Sequence, residues 1–278
     1  MATILMRFPG GKRKAVTLSY DDGVIQDIRF IEIMKKYGLK GTFNINSGLY
    51  APEGTEYDAK KPKGRMTRTL CIDTYANSGM EVAAHGLTHP FLEHLPVSMQ
   101  TQEVMQDRAN LEKEFGTIIR GMAYPYGTYS DEIVETLKAC GILYCRTTVS
   151  TENFDIPKDW LRMPATCHHN NPRLMKLAEE FLTDDWTERP KLFYLWGHSF
   201  ELDNDDNWNV IEEFGQYIGN REDIWYATNM EVYEYVEAYR QLVFSIDGTI
   251  VYNPTSTTLY FWTAGRVVCI KPGETITI

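Results

Sequence analysis

The chain has 278 residues, 43% of them hydrophobic, enough for one sizeable core and too many for a minimal domain. Its 28 Lys and Arg stand against 38 Asp and Glu, a net charge of −10 that argues against a nucleic-acid surface, which needs clustered cations to displace counterions. Nothing approaches the roughly 20 apolar residues of a membrane span.

The apolar run Ala2–Met6 is too short for a secretory signal. The five cysteines (Cys71, Cys140, Cys145, Cys167 and Cys269) are scattered, with no C-x-x-C pair, and read as reduced thiols. Together these features predict a cytoplasmic protein.

In chain order, Ala15–Gly23 reads as a strand, with Val16, Leu18 and Tyr20 alternating along it. It ends in Asp21-Asp22-Gly23. Two adjacent carboxylates at a buried strand end repel each other and call for a compensating cation; the ordinary alternative is an Asp-Gly turn with a solvated aspartate. Val24–Tyr37 follows as a helix stopped by Gly38, with Val24, Ile28, Ile31 and Met34 on one face. Lys40–Asn46 is a second strand, and Gly48–Arg68 a long surface loop of the kind that flanks binding sites. Leu70–Ser78 reads as a short helix closed by Gly79, and Met80–Ala84 as a third strand ending at His85.

Ser98 is the expected N-cap of a helix running to Phe115. Ile118–Tyr124 is a fourth strand. Ser130 caps a helix ending at Gly141, and Ile142–Thr148 is a fifth strand. Pro172 suits the first turn of a helix whose inner face is Leu174, Leu177, Ala178 and Phe181. Leu192–His198 is a sixth strand, followed by SFELDND as a solvated acidic loop. Asn209–Ile218 is a helix, Ile224–Ala227 a seventh strand, and Asn229 caps a last helix to about Leu242. From Val243 to Ile278 only β-type runs and turns remain.

Strands alternating with helices imply parallel pairing with right-handed crossovers. Seven units in about 240 residues suit a closed or nearly closed β/α barrel. The expected fold is therefore an α/β (β/α)7 barrel over 1–242, with a small C-terminal β appendage over 243–278 that packs on the barrel or serves a partner. Its chemistry belongs at the C-terminal strand ends, where Asp21, Asp22, His85 and His198 all fall.

His85-Gly86-Leu87-Thr88-His89 sets two imidazoles four residues apart just beyond a strand, where one tight turn aims both at a single ion. An isolated H-x-x-x-H is as readily one core and one surface histidine. With an Asp-Asp-Gly at another strand end, however, the three N/O ligands of a catalytic metal shell are present.

At these residues a resemblance emerges. SYDDG (19–23) resembles the T-F-D-D-G motif, and HGLTH (85–89) the H-[ST]-x-x-H motif, of the polysaccharide deacetylases, the NodB-homology carbohydrate esterases of carbohydrate esterase family 4. Tyr124-Pro125-Tyr126-Gly127 resembles the third motif, and LWGH (195–198) the last. The resemblance covers about residues 14–240 and implies a distorted (β/α)7 barrel. It further implies one divalent metal ion, zinc by first choice, on Asp22, His85 and His89, with Asp21 as general base and His198 as general acid. The backbone N–H of Tyr126, beside Pro125, would help to hold the oxyanion.

The chain departs from the family pattern in places. Ala123 stands where the third motif carries the arginine that pairs with the catalytic aspartate. Arg146 on the following strand is the expected substitute, ahead of Arg120. The fourth motif is matched only by Asp159-Trp160, so Asp159, Glu201 or Asp155 is left to orient His198. The last motif is one residue longer than usual, and His168 or His169 is expected to line the pocket.

The first functional expectation is removal of N-acetyl groups from an amino sugar or oligosaccharide. The alternatives are hydrolysis of a non-sugar C–N bond, in a cyclic imide or ureide, and a non-catalytic glycan-binding barrel. The expected partner is a carbohydrate or other small amide, with no nucleic acid and no membrane; the oligomeric state is left open.

Overall fold

The computed structural model describes residues 3–57, 63–183 and 187–278. Part of the expected long loop, 58–62, lies outside the described residues. A short strand β1 (Leu5–Arg7) precedes β2 (Lys14–Asp21), in which all eight residues are buried, as expected of a parallel strand covered on both faces. The order then runs α1 (Asp27–Lys36), β3 (Gly41–Ile45), α2 (Arg68–Tyr75), β4 (Glu81–Ala84), α3 (Val97–Phe115), β5 (Gly121–Ala123), α4 (Asp131–Ala139) and β6 (Tyr144–Ser150). It continues with β7 (Met163–Ala165), β8 (Cys167–His168), α5 (Leu174–Leu182), β9 (Lys191–Gly197), α6 (Ser199–Asn204), α7 (Asn209–Ile218), β10 (Ile224–Tyr226) and α8 (Asn229–Arg240).

β2 to β6 pair in sequence order, all parallel, and β9 lies on the other side of β2. The ring is closed by 163–168. Its first half, β7, pairs with β6, its second half, β8, pairs with β9, and between them the Thr166 N–H donates to Tyr194 O at 2.8 Å. Counting β7 and β8 as one broken strand gives the seven-membered, distorted barrel.

The expected count holds, but its seventh member differs. Ile224–Tyr226 does form a strand, yet it pairs only with Lys14–Val16 at the start of β2, below β3, which takes Leu18–Asp21. The true closing strand, 163–168, was hidden because MPATCH contains a proline and too few alternating residues to read as a strand.

Local chemistry explains the shifted boundaries. α1 starts at Asp27 because the Asp27 carboxylate accepts from the Val24 N–H (3.1 Å), holding 24–26 as a loop. α2 is capped by Thr67, which accepts from the Leu70 N–H. Ser98 is not an N-cap: the extended backbone at Pro96 ends the incoming loop and the helix begins at Val97. Pro172 likewise precedes its helix, which begins at Leu174. Thr228, not Asn229, caps α8, in a reciprocal box with Glu231. The Asn229 side chain instead turns inward, accepting from Thr17 and donating to Tyr194 Oη. SFELDND is not an open loop but contains α6, whose Ser199 and Leu202 are buried.

The tail forms β11 (Val243–Phe244), β12 (Ile250–Tyr252), β13 (Leu259–Thr263), β14 (Arg266–Ile270) and β15 (Thr275–Thr277). β13 pairs antiparallel with β1 as well as with β14, so the two ends of the chain share a sheet. Phe8, Tyr235, Val236, Leu259, Phe261 and Ile270 pack in one apolar cluster that also takes in Ala15 at the start of β2. Tyr235 Oη, on α8, donates to Arg7 O and accepts from the Tyr260 N–H. The four cysteines within the barrel are buried and Cys269 is exposed, all unbridged. Among the described residues no helix is long and apolar enough to cross a membrane.

Candidate metal and catalytic centre

The β2 strand delivers Asp21 to the barrel mouth with its side chain inward. Asn44 on β3 donates to one Asp21 oxygen (2.8 Å), and Arg146 on β6 donates to the other. The Arg146 side chain is fully buried, its guanidinium lying over the Trp196 ring at 4.5 Å. His85 Nε2 and His198 Nε2 each stand 3.8 Å from that same oxygen. Burial alone would raise the Asp21 pKa, but Arg146, His85 and His198 outweigh it and hold the carboxyl below its ordinary range.

Asp22 leaves the strand with φ +86, a left-handed conformation rare outside glycine, which turns its carboxylate away from that of Asp21. Arg65 grips it twice, on Oδ1 (2.7 Å) and on the backbone carbonyl, and also donates to Asn46 Oδ1 (2.7 Å). Lys63 Nζ lies 2.9 Å from Oδ2. Burial opposes the charge of Asp22, but His85, Arg65 and Lys63 keep its pKa well down.

The two histidines of the HGLTH turn meet edge to face, ring centres 4.7 Å apart. His89 adopts φ +56 to reach back over the strand end. His85 Nδ1 is 2.8 Å from Ala123 O, which directs Nε2 inward, an outer contact of the kind that orients metal-ligating imidazoles. Asn46 donates to His85 O and Gly86 O, both at 2.6 Å. Asp107 on α3 accepts from the His85 N–H and from the N–H and hydroxyl of Ser47. Burial lowers the pKa of both imidazoles, His89 to about 4, where His85 adds to the effect.

One potential ligand atom from each of Asp22, His85 and His89 lies within 4.8 Å of the others. A carboxylate and two neutral imidazoles are donors suited to a divalent cation such as zinc, so the residues fit the ion that the motifs imply.

Opposite them, His198 follows β9. Its Nδ1 lies 3.2 Å from Glu201 Oε1, one turn along in α6. Burial works against a charge on His198, but Glu201 and Asp21 raise its pKa above the ordinary value. Asp27 ties the two halves together, accepting from the Val24 N–H, Tyr75 Oη and Ser199 Oγ; burial pushes its own pKa up to about 7.

The sequence profile described as polysaccharide deacetylase matches residues 9–145, a span that contains SYDDG, HGLTH and YPYG. Residues 9–145 are a polysaccharide deacetylase family sequence. A curated relative, an uncharacterized protein of Streptomyces coelicolor, is 24% identical over 127 residues, which are 46% of this chain and 45% of that protein; the chain thus spans about half the relative's length. Among solved structures, a Mycobacterium smegmatis protein assigned as a polysaccharide deacetylase matches with TM-score 0.60 and 17% identity, over 86% of this chain and 96% of that one. The Xyl-CE4 domain of a multidomain xylanase from the hindgut metagenome of Trinervitermes trinervoides matches with TM-score 0.55 and 12% identity, over 81% and 92%. At such identities these structures support the fold alone.

Around this polysaccharide deacetylase stretch, the residues singled out from the sequence fall as follows. Asp21, Asp22, His85, His89, Arg146 and His198 converge at one barrel mouth. Pro125 is buried against Gly86, and Tyr126, at φ +58, packs its ring on His89 (4.5 Å) and stacks on Phe91 (3.8 Å). Among the described residues, no acceptor is hydrogen-bonded to the Tyr126 N–H.

His168 does not meet the metal set: its Nε2 contacts Glu201 (3.1 Å) on the far side of His198. The neighbouring His169 is buried beside Tyr20 Oη (3.2 Å). Asp159 is half exposed and caps the turn at 160–162 while pairing with Arg162, and Asp155 is exposed, so of the three carboxylates considered only Glu201 touches His198. Arg120 is exposed, its Nε 3.4 Å from Gly141 O.

Reading the sequence missed Asn44, Asn46, Arg65 and Asp107. Three of these left a signal. Asn44 and Asn46 are amides in a buried β-run, and Asp107 interrupts the apolar stripe Val104–Leu111 of α3. Arg65 sits in an aperiodic loop and left none.

Proposed function

We propose that the protein is a metal-dependent amide hydrolase that removes N-acetyl groups from an amino sugar or oligosaccharide. The observation that carries this reading is the placement of Asp21: it is held by Arg146 and Asn44, stands 3.8 Å from His198, and adjoins a separate Asp-His-His set without belonging to it. Asp22, His85 and His89 would hold the divalent cation. Such an ion, when bound, acidifies water and polarises a carbonyl oxygen.

Asp21, ionised at neutral pH, accepts the proton of the attacking water. His198, favoured in its protonated form by Glu201, supplies the proton without which an amine leaves poorly. The Tyr126 N–H donates to the developing oxyanion. Phe91 and Tyr126, exposed and stacked at the rim, offer an apolar platform on which a pyranose ring can pack.

Acetate release from a panel of N-acetylated sugars, run beside cyclic imides and ureides, tests this. Turnover of an N-acetyl sugar that is lost in Asp21→Asn supports the reading. Turnover confined to imides or ureides replaces it with the second hydrolase reading, and intact glycan binding with no turnover leaves a binding barrel.

A further inference from the structure

Lys63 occupies an unusual place. Its ammonium lies 2.9 Å from Asp22 Oδ2, on the ligand side of the centre, and 4.8 Å over the ring of Phe200, which packs on His198 (5.2 Å) on the acid side. The side chain is about half exposed, so it spans the mouth between the two halves and faces whatever enters. Arg65, mostly buried behind it, anchors the loop to Asp22 and Asn46.

Charge bookkeeping gives this placement a meaning. Three carboxylates face the centre (Asp21, Asp22 and Glu201), and three full cations (Arg146, Arg65 and Lys63) already balance them. A divalent cation on Asp22, His85 and His89 therefore leaves the mouth with an excess of positive charge. The Lys63 ammonium, half exposed, keeps further N–H donors beyond the one facing Asp22 Oδ2 and presents them to the opening. The whole chain carries −10, yet Lys63 and Arg65 both stand at this mouth. A cationic mouth on an acidic protein selects for anions by local field rather than by overall charge.

We propose that Lys63, supported by Arg65, reads a carboxylate on the substrate, so that the preferred N-acyl compound is an acidic sugar rather than a neutral one. The proposal rests on the hydrolase reading above for its catalytic arm only. An ion pair at a half-exposed site is worth about tenfold at low salt and fades as salt screens it.

Two measurements test it. The first compares kcat/KM for acetate release from N-acetylmuramic acid and from N-acetylglucosamine. A ratio of about tenfold or more at low salt is expected, shrinking at high salt, falling toward one in Lys63→Met and recovering in Lys63→Arg. The second is calorimetric binding of the same two compounds to metal-loaded Asp21→Asn protein, which reports recognition without turnover; the acidic sugar should bind about tenfold more tightly, and Lys63→Met should abolish the difference. Equal kcat/KM or equal binding of the two sugars, or a preference unchanged in Lys63→Met, overturns the proposal. Absence of acetate release alongside selective binding of the acidic sugar overturns the hydrolase reading and leaves this one standing.

Discussion

Replacing Arg146 by alanine removes the guanidinium hydrogen-bonded to Asp21, in a place where neither group reaches water. Two unit charges about 4 Å apart at an effective dielectric constant of about 20 interact by about 4 kcal/mol. At about 1.4 kcal/mol per pH unit, that is about three units on the Asp21 carboxyl. His198, 3.8 Å from the same oxygen and drawn toward its protonated form, recovers part of the loss, so the expected rise is about 1–3 units.

A base that must be ionised then works only at higher pH. In a pH series of kcat/KM, the acidic limb of Arg146→Ala should move up by at least about one unit, so that activity falls by about tenfold or more on the acidic side and least above pH 7. Stability should fall by about 3–5 kcal/mol in denaturant titrations, because a buried carboxylate is left unpaired, and Asp21→Asn in the same chain should restore part of it. In the parent, the Asp21 pKa is depressed in the fold. Its contribution to stability is therefore complete above its unfolded value, near pH 4, and is lost as the pH falls through the lower folded one. An acidic limb that does not move, with kcat/KM within threefold of the parent, would refute the reasoning.

Other expectations are as direct. His85→Ala or Asp22→Ala should abolish binding of one divalent metal per chain, measured by elemental analysis, whereas Asp21→Asn should keep the metal and lose turnover. Glu201→Gln removes the carboxylate that raises the His198 pKa, so the basic limb of kcat/KM should shift to lower pH; an unmoved limb would remove the positioning role. Asp107, with its pKa pushed up to about 7 by burial, binds a proton in the fold that the unfolded chain has lost above about pH 4. Its contribution to stability thus declines as pH rises from about 4 to about 7, and the stability difference between the parent and Asp107→Asn should follow that window in denaturant titrations. Gly127→Ala should destabilise by about 1–3 kcal/mol, because the backbone is at φ +73 and the added Cβ would fall 2.3 Å from Thr148; a neutral thermal shift would contradict this.

Sequence alone carried the parts of this protein that depend on local periodicity and on ligand spacing along the chain. The alternation around Leu18, the helical stripe of α5 and the HGLTH turn each state their structure within a dozen residues, because side-chain direction there follows from the backbone period. The strand ends that carry Asp21, Asp22, His85 and His198 followed from the same evidence, whereas the count of seven included Ile224–Ala227 in place of the closing strand.

What the sequence did not reveal lies across the barrel. Met163–His168 closes the ring although its own residues are poor strand formers, since β6 and β9 supply the missing pairing from either side. Asp107 and Arg65 reach the centre from a helix and a loop, and Asp27 clasps two strand-end turns that are 172 residues apart in the chain. A buried charge needs a partner within a few ångströms, and only the closed barrel determines which residue stands there. The order of the residues thus pointed to the candidate ligands and to Arg146 beside Asp21; the tertiary fold chose Glu201 among three carboxylates for His198 and set Lys63 against Asp22.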